Sequence, residues 1–123
     1  AFRMTLALNK REESMRYAKL YFSMDPDNPQ VVRNIVQDYL IVSYSQDVLV
    51  FIEAIQKEYP KNQLVQANTF LYRGLYYVEK NDKEKASADV ARAKGLYQKI
   101  YKPEHVVMQF IAQVEAQLAS LEK

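Results

Sequence analysis

Helix-start signals recur along this chain at a fixed interval. Asn9, Ser45 and Asn81 lie 36 positions apart each time. Each can cap a helix, because a short polar side chain accepts a hydrogen bond from the free N–H groups of the first turn. Glu12 and Glu84 lie three positions after two of these caps, which is a variant of the capping box. A period of this size is typical of a helical repeat, so the chain is predicted to build one structural unit several times.

Prolines mark the ends of the predicted helices at a similar interval. Pro26 and Pro60 lie 34 positions apart, and proline cannot continue a helix because it lacks a backbone N–H group. The acidic segment around Pro26 superficially begins like a calcium loop. However, Gln30 and Val36 stand where that loop needs its glycine and its bidentate glutamate. We therefore predict a corner between two helices, with Pro29 at the start of the second.

Apolar residues between these signals follow the i, i+3, i+4, i+7 spacing of a helix that buries one face. The chain has only two glycines and four prolines, so helices are favoured over a sheet with many tight turns. We predict an all-α fold. Segment 38–52 is rich in β-branched and aromatic residues, and two strands around Ser45 are the alternative there. The helices are expected near residues 2–8, 10–24, 30–44, 46–58, 63–80, 82–101 and 103–121.

Length and composition limit the classes of protein to which the chain can belong. At 123 residues the chain suits a single domain, residues 1–123, and its formal net charge is only +2. It has no cysteine for disulfides, thiol catalysis or thiolate metal ligands. No run approaches the roughly 18 uncharged apolar residues that a membrane-spanning helix needs. We expect a cytoplasmic protein, with a signal upstream as the alternative.

The first predicted unit is shorter than the others. Only eight residues precede Asn9, whereas the corresponding segments before Ser45 and Asn81 have about fifteen or more. The apolar residues of that short segment would need cover from something upstream. We therefore interpret the chain as a fragment, or as the C-terminal part of a longer protein.

One segment resembles a known helical repeat. Residues 71–97, LYRGLYYVEKNDKEKASADVARAKGLY, are similar to the tetratricopeptide repeat (TPR), which stacks helix pairs of about 34 residues. Gly74 corresponds to the small residue of the first helix and Tyr77 to the aromatic residue three positions on. Ala86 and Ala93 correspond to the alanines of the second helix. The resemblance implies a right-handed superhelix of about three antiparallel helix pairs plus a C-terminal capping helix.

Earlier units follow the TPR pattern less closely. The first unit resembles a second TPR helix, with Ala18 and Tyr21 facing inward. The middle unit departs from the pattern, because Val36, Val48 and Ile55 stand where small residues are expected. Its helices should therefore lie further apart or cross at a different angle.

The resemblance also implies a function and a binding surface. TPR-like arrays are non-catalytic modules that bind proteins or peptides, and their first helices line a concave groove. Asparagine and glutamine suit such a groove because each offers both a donor and an acceptor to a peptide backbone. Tyr72 and Tyr76 are the tyrosines expected at the surface. Carried over position by position, the pattern predicts six groove residues: Arg33, Asn34, Gln37, Asn68, Tyr72 and Tyr76.

A second resemblance covers residues 72–118. This run is similar to the end of the C-terminal regulatory domain of Rgg-type transcription regulators from Gram-positive bacteria. That resemblance implies a peptide-sensing, dimerising domain whose helix-turn-helix DNA-binding part is absent here. The last predicted helix has an apolar stripe that suits either a capping helix or a homodimer interface. Its residues are Val107, Phe110, Ile111, Val114, Leu118 and Leu121.

The residues that could support catalysis have simpler interpretations. His105 is the only histidine, and no nucleophile or acid pattern accompanies it, so we interpret it as a helix-start or surface residue. Gly74 and Gly95 are too few to form a phosphate-binding loop, and close helix packing is the expected reason for both. We predict that the protein is not an enzyme and binds no cofactor and no metal.

Basic residues recur on one predicted helix. Lys85, Arg92 and Lys99 are seven residues apart, a spacing that could form a stripe for nucleic acid. Asp89 lies within one helical turn of both Lys85 and Arg92, which favours a solvated face with local ion pairs. We therefore predict a protein or peptide partner and no direct contact with nucleic acid.

Overall fold

Six helices form the part of the chain that the computed structural model describes, residues 11–41 and 45–121. They are α1 (Arg11–Met24), α2 (Pro29–Ile41), α3 (Ser45–Glu58), α4 (Gln63–Glu79), α5 (Lys83–Ile100) and α6 (Val106–Ala119). Neither range contains a strand, so the all-α prediction is confirmed for them and the strand alternative around Ser45 is wrong. The helix predicted near 2–8 and its neighbouring cap Asn9 lie outside the described residues.

Contacts between residues divide the chain into two compact units. The first, Ala1–Tyr59, carries α1, α2 and α3, and each of these helices contacts the other two. The second, Pro60–Lys123, carries α4, α5 and α6, with α5 in contact with both of its neighbours. The single-domain organisation stays a prediction.

The first unit is held by the helical faces that the apolar spacing predicts. Its core includes Val32, Ile35, Val36 and Tyr39 of α2, and Val48, Phe51, Ile52 and Ile55 of α3, all of them buried. Burying one such large apolar side chain contributes roughly 1.5–3 kcal/mol. The wider spacing or different crossing angle expected for α2 and α3 stays a prediction.

Phe22 provides the aromatic contact of α1 with this core. Its ring meets Phe51 and Tyr59 edge to face, with centroids 6.0 and 5.5 Å apart. Ala18 is buried as expected, but Tyr21 is partly exposed, so the inward position predicted for Tyr21 is wrong. Ala18 and Phe22 lie four positions apart on the buried face of α1, whereas Tyr21 lies about 100° around the helix from Phe22.

The turn between α1 and α2 is a helix corner, as predicted. The Asn28 side-chain oxygen accepts a hydrogen bond from the Gln30 backbone N–H at 2.9 Å. The Asn28 amide also donates to the Asp25 carboxylate at 3.1 Å. Pro29 is the first residue of α2, a position where its missing N–H group costs nothing. Asp25 and Asn28 thus join two helices through their own hydrogen bonds.

The turn between α4 and α5 differs from the prediction by one residue. Asp82, rather than Asn81, caps α5 by accepting a hydrogen bond from Lys85 N–H at 3.2 Å. Asn81 has a φ of 57°, a left-handed conformation that asparagine tolerates better than most residues. The N–H groups of Asn81 and Asp82 donate to Val78 and Tyr77 carbonyls at 3.0 and 2.9 Å, which is a Schellman motif. Asn81 therefore ends α4 rather than starting α5.

Helices α4 and α5 pack closely at Gly74. A Cβ atom built at Gly74 would lie 2.9 Å from Val90 Cγ2 and 3.5 Å from the Ala86 carbonyl oxygen. Any side chain there would need Val90 or the backbone to move, so the packing interpretation of Gly74 is confirmed. Among the described residues, no atom lies within 4 Å of a Cβ added at Gly95, and the same interpretation is wrong for that glycine.

The last helix, α6, begins three residues later than predicted because His105 caps it. His105 Nδ1 accepts a hydrogen bond from Val107 N–H at 3.1 Å, so the helix-start interpretation of this histidine is confirmed. Ile111, Val114 and Leu118 form its buried face. Among α1 to α6, no helix combines the length and the apolar character that crossing a membrane requires.

The two glycines of the α4–α5 hairpin should respond oppositely to alanine. Gly74→Ala is expected to lower the free energy of unfolding by about 1–3 kcal/mol, because the added methyl group pushes Val90 and α5 away. Gly95→Ala is expected to raise it by about 0.5–1 kcal/mol, because alanine restricts the unfolded chain and meets open space in the helix. Urea unfolding followed by circular dichroism measures both changes. A Gly74→Ala protein as stable as wild type would contradict the close packing described here.

Candidate functional site

Three of the predicted groove residues lie on α2 in the first unit. Arg33 and Gln37 are exposed and stand one helical turn apart, while Asn34 beside them is half-buried. The buried residues Val32 and Ile35 on the same helix hold α2 against the core. The structure therefore brings these three polar side chains together on the outer side of α2.

The other three predicted groove residues lie on α4 and are buried. The exposed fractions of Asn68, Tyr72 and Tyr76 are 1%, 9% and 6%. The expected exposure of the two tyrosines is wrong, because the large apolar area of each ring favours burial. A ligand would reach these residues only after packed side chains moved. Their contact with a peptide stays a prediction.

A series of polar and aromatic contacts connects α4, α5 and the start of α6. The buried Tyr97 hydroxyl donates a hydrogen bond to Asn68 Oδ1. The Tyr97 ring stacks on Tyr101, with centroids 6.0 Å apart, and Tyr101 stacks on His105 at 3.9 Å. Burial raises the pKa of Tyr97, and neighbouring Tyr72 and Tyr101 raise it further. Tyr97 is therefore held as a neutral donor.

Asn68 is part of this hydrogen-bonded network and is not exposed to solvent. Its Oδ1 is occupied by Tyr97, and its buried Nδ2 has no hydrogen-bond partner among the described residues. Burying an unpaired donor costs about 1–3 kcal/mol, which the hydrogen bond to Tyr97 and the surrounding packing together offset. Sequence reasoning selected the position of Asn68 but missed its partner, which lies 29 residues further along the chain.

An ionic cluster links α4 to α5 near the middle of the hairpin. Arg73 Nε and Nη2 donate to the two carboxylate oxygens of Asp89 at 2.7 and 2.9 Å, and Arg92 Nη1 donates at 3.0 Å. Both guanidinium groups lie over the Phe70 ring, 5.4 and 5.7 Å from its centroid. The exposed side-chain fractions are 3% for Asp89, 15% for Arg73 and 57% for Arg92. We call these four residues the Asp89 cluster.

The Asp89 cluster corrects one prediction and confirms another. The local ion pair of Asp89 with Arg92 is present, as their spacing predicts. The solvated position of Asp89 is wrong, because Arg73 reaches across from α4 and binds both of its oxygens. Spacing along one helix shows which residues share a face, but it cannot reveal a charged partner on the neighbouring helix.

The predicted dimer surface on α6 is partly apolar. Val106 and Phe110 have exposed fractions of 70% and 37%, while Ile111 and Val114 face the interior. Glu115 on the same helix pairs with Lys94 of α5 at 3.2 Å. A homodimer through the C-terminal helix stays a prediction.

No protein-family model, curated protein or solved structure matches this chain. The resemblances to TPR and Rgg-type domains therefore stay predictions. Within residues 11–41 and 45–121, no three or more His, Cys, Asp or Glu side chains are grouped so that they could hold a metal ion.

Alkaline pH should destabilise the fold through Tyr97. The folded protein keeps the Tyr97 proton because the pKa of this hydroxyl is raised, whereas an unfolded tyrosine ionises at about pH 10. The stabilisation is fully present below about pH 10 and falls by about 1.4 kcal/mol per pH unit above it. Urea unfolding of wild type and Tyr97→Phe between neutral and alkaline pH measures the difference. Tyr97→Phe should lose less stability across this range, and parallel profiles would contradict the proposed burial of the hydroxyl.

Removing the Asp89 charge should destabilise the α4–α5 hairpin. Asp89→Asn is expected to lower the free energy of unfolding by about 3 kcal/mol, because Arg73 is left largely buried beside a neutral amide. Glu115→Gln is the matched control, since it removes the exposed pair with Lys94 and should cost less than about 1 kcal/mol. Chemical unfolding of both variants tests this difference. Equal effects would contradict a structural role for the Asp89 cluster.

Proposed function

We propose that this chain is a non-catalytic module that binds a protein or peptide partner through TPR-like helix pairs. The observation that carries the proposal is the close crossing of α4 and α5, where Gly74 lies against Ala86 and Val90. Small residues at such a crossing are typical of stacked helix pairs, which form extended binding surfaces. The fold of the second unit thus supports a module of this kind.

The side chains exposed on α2 suit recognition of a peptide backbone. Arg33 supplies a planar group of N–H donors, and Gln37 supplies both a donor and an acceptor. Asn34 is half-buried beside them and has the same dual character. In this proposal α2 is the first helix of a pair with α3, and its outer side holds an extended peptide.

The chemistry of these residues favours binding over catalysis. General acid or base catalysis needs a group whose pKa lies near the working pH. The guanidinium and amide groups of Arg33, Asn34 and Gln37 serve instead as hydrogen-bond donors and acceptors for a partner. The proposed module therefore binds its partner without changing it chemically and needs no cofactor.

Loss of the α2 side chains should weaken binding selectively. A peptide selected on the wild-type protein from a displayed random library is expected to bind Arg33→Ala plus Gln37→Ala about tenfold more weakly, because two contacts are removed. Glu53→Ala plus Lys57→Ala is the matched control. These two residues are exposed and one turn apart on α3 of the same unit, and their loss should change affinity less than twofold. Fluorescence anisotropy with the labelled peptide measures all three proteins.

Two outcomes would overturn this proposal in different ways. Equal loss of affinity in both double variants would reject α2 as the binding surface. Failure to select any peptide that binds the folded protein would reject the binding module itself. Circular dichroism of each variant separates loss of binding from loss of folding.

A further inference from the structure

A row of cations lies on the outside of α5. Lys85, Arg92 and Lys99 are all exposed, and we call them the α5 basic row. Seven residues advance a helix by about 10.5 Å and return to nearly the same side, so the three charges stand in a line.

Asp89 does not neutralise this row at the surface. Its side chain is 3% exposed and both of its oxygens accept hydrogen bonds from Arg73. Arg73, Arg92 and Asp89 together carry one net positive charge, and Arg92 is the member that solvent reaches. The acidic residue that appears in the sequence to interrupt the row therefore lies beneath it.

Two of the three cations already contact an aromatic ring. Arg92 is fixed by its 3.0 Å hydrogen bond to Asp89 and by the Phe70 ring. The Lys85 ammonium lies 5.6 Å from the centroid of the Tyr77 ring. Its contact with Asp82 is 4.0 Å long and exposed, and such a pair contributes little. Side chains ordered before binding lose less conformational entropy when a partner arrives.

Small residues lie beside the row on one flank. Ala88 and Gly95 are exposed, and no atom of the described residues lies within 4 Å of a Cβ added at Gly95. A partner can therefore bring its own backbone close to α5 while its side chains reach the cations.

We propose that the α5 basic row is a docking surface for an acidic peptide segment whose carboxylates lie about 10 Å apart. A helix with glutamate at every seventh position has this spacing, because it shares the geometry of α5. Nucleic acid fits less well: duplex DNA carries one charge per about 1.7 Å, so three cations in a line would leave most phosphates without a partner. The proposal does not depend on the function proposed for α2.

Binding of synthetic peptides by the full chain tests the proposal. The first labelled peptide carries glutamate at every seventh position of a helical sequence, and the second has the same composition with its glutamates adjacent. Lys85→Gln plus Lys99→Gln is expected to weaken binding of the spaced peptide about tenfold at low salt. Lys57→Gln plus Lys61→Gln changes the net charge equally at other exposed positions and should have less than a twofold effect. Both pairs of substitutions leave the Asp89 cluster intact.

Each remaining outcome bears on one part of the proposal. Equal affinity for the spaced and the clustered peptide would overturn the spacing argument, and equal loss in the two double variants would overturn the location. Tighter binding of a labelled single-stranded oligonucleotide would overturn the choice of a peptide. Absence of binding to the spaced peptide would overturn the docking surface. Unchanged binding by Arg33→Ala plus Gln37→Ala would confirm that this surface is independent of α2.

Discussion

The close approach of α4 and α5 at Gly74 is the constraint on which the second unit depends. Because a Cβ at Gly74 would meet Val90 at 2.9 Å, the two helices can lie together only if this position has no side chain. That approach allows Arg73 to reach both oxygens of Asp89 and places Asn68 beside Tyr97. One missing methyl group thus sets the distance over which the ionic and polar contacts of the hairpin form.

The positions of the helices could be predicted from the sequence because the signals that start and end a helix are local. Proline positions, capping residues and apolar spacing act over four to seven residues, and they correctly indicated helices and the corner at Pro29. The error at Asn81 is also instructive. Asparagine serves equally as a helix cap and as a left-handed residue that ends a helix, and only the following Asp82 shows which role it takes.

Side-chain environment was harder to predict because it depends on the neighbouring helix. The sequence predicts Asp89 at the surface, whereas the structure buries it against Arg73 of α4. The sequence likewise predicts Tyr72 and Tyr76 in a groove, whereas both are buried. For Asn68 the helix was correctly predicted, but the hydrogen bond from Tyr97 was not. A single sequence contains no direct record of which residues face each other across two helices. The positions of Arg33 and Gln37 on the outside of α2 could be inferred because burial on that helix follows its own period.

The residues that hold α4 to α5 are separated by short stretches of the sequence. Arg73 and Asp89 are 16 residues apart, and Asn68 and Tyr97 are 29 residues apart. Closing loops of this size costs little entropy, and proteins dominated by such local contacts fold quickly. Both contacts lie within residues 68–97, so no residue beyond α5 has to be synthesised before they can form. A further helix pair of this kind would leave the loops inside existing pairs unchanged in length, so its addition would not raise their entropy of closure.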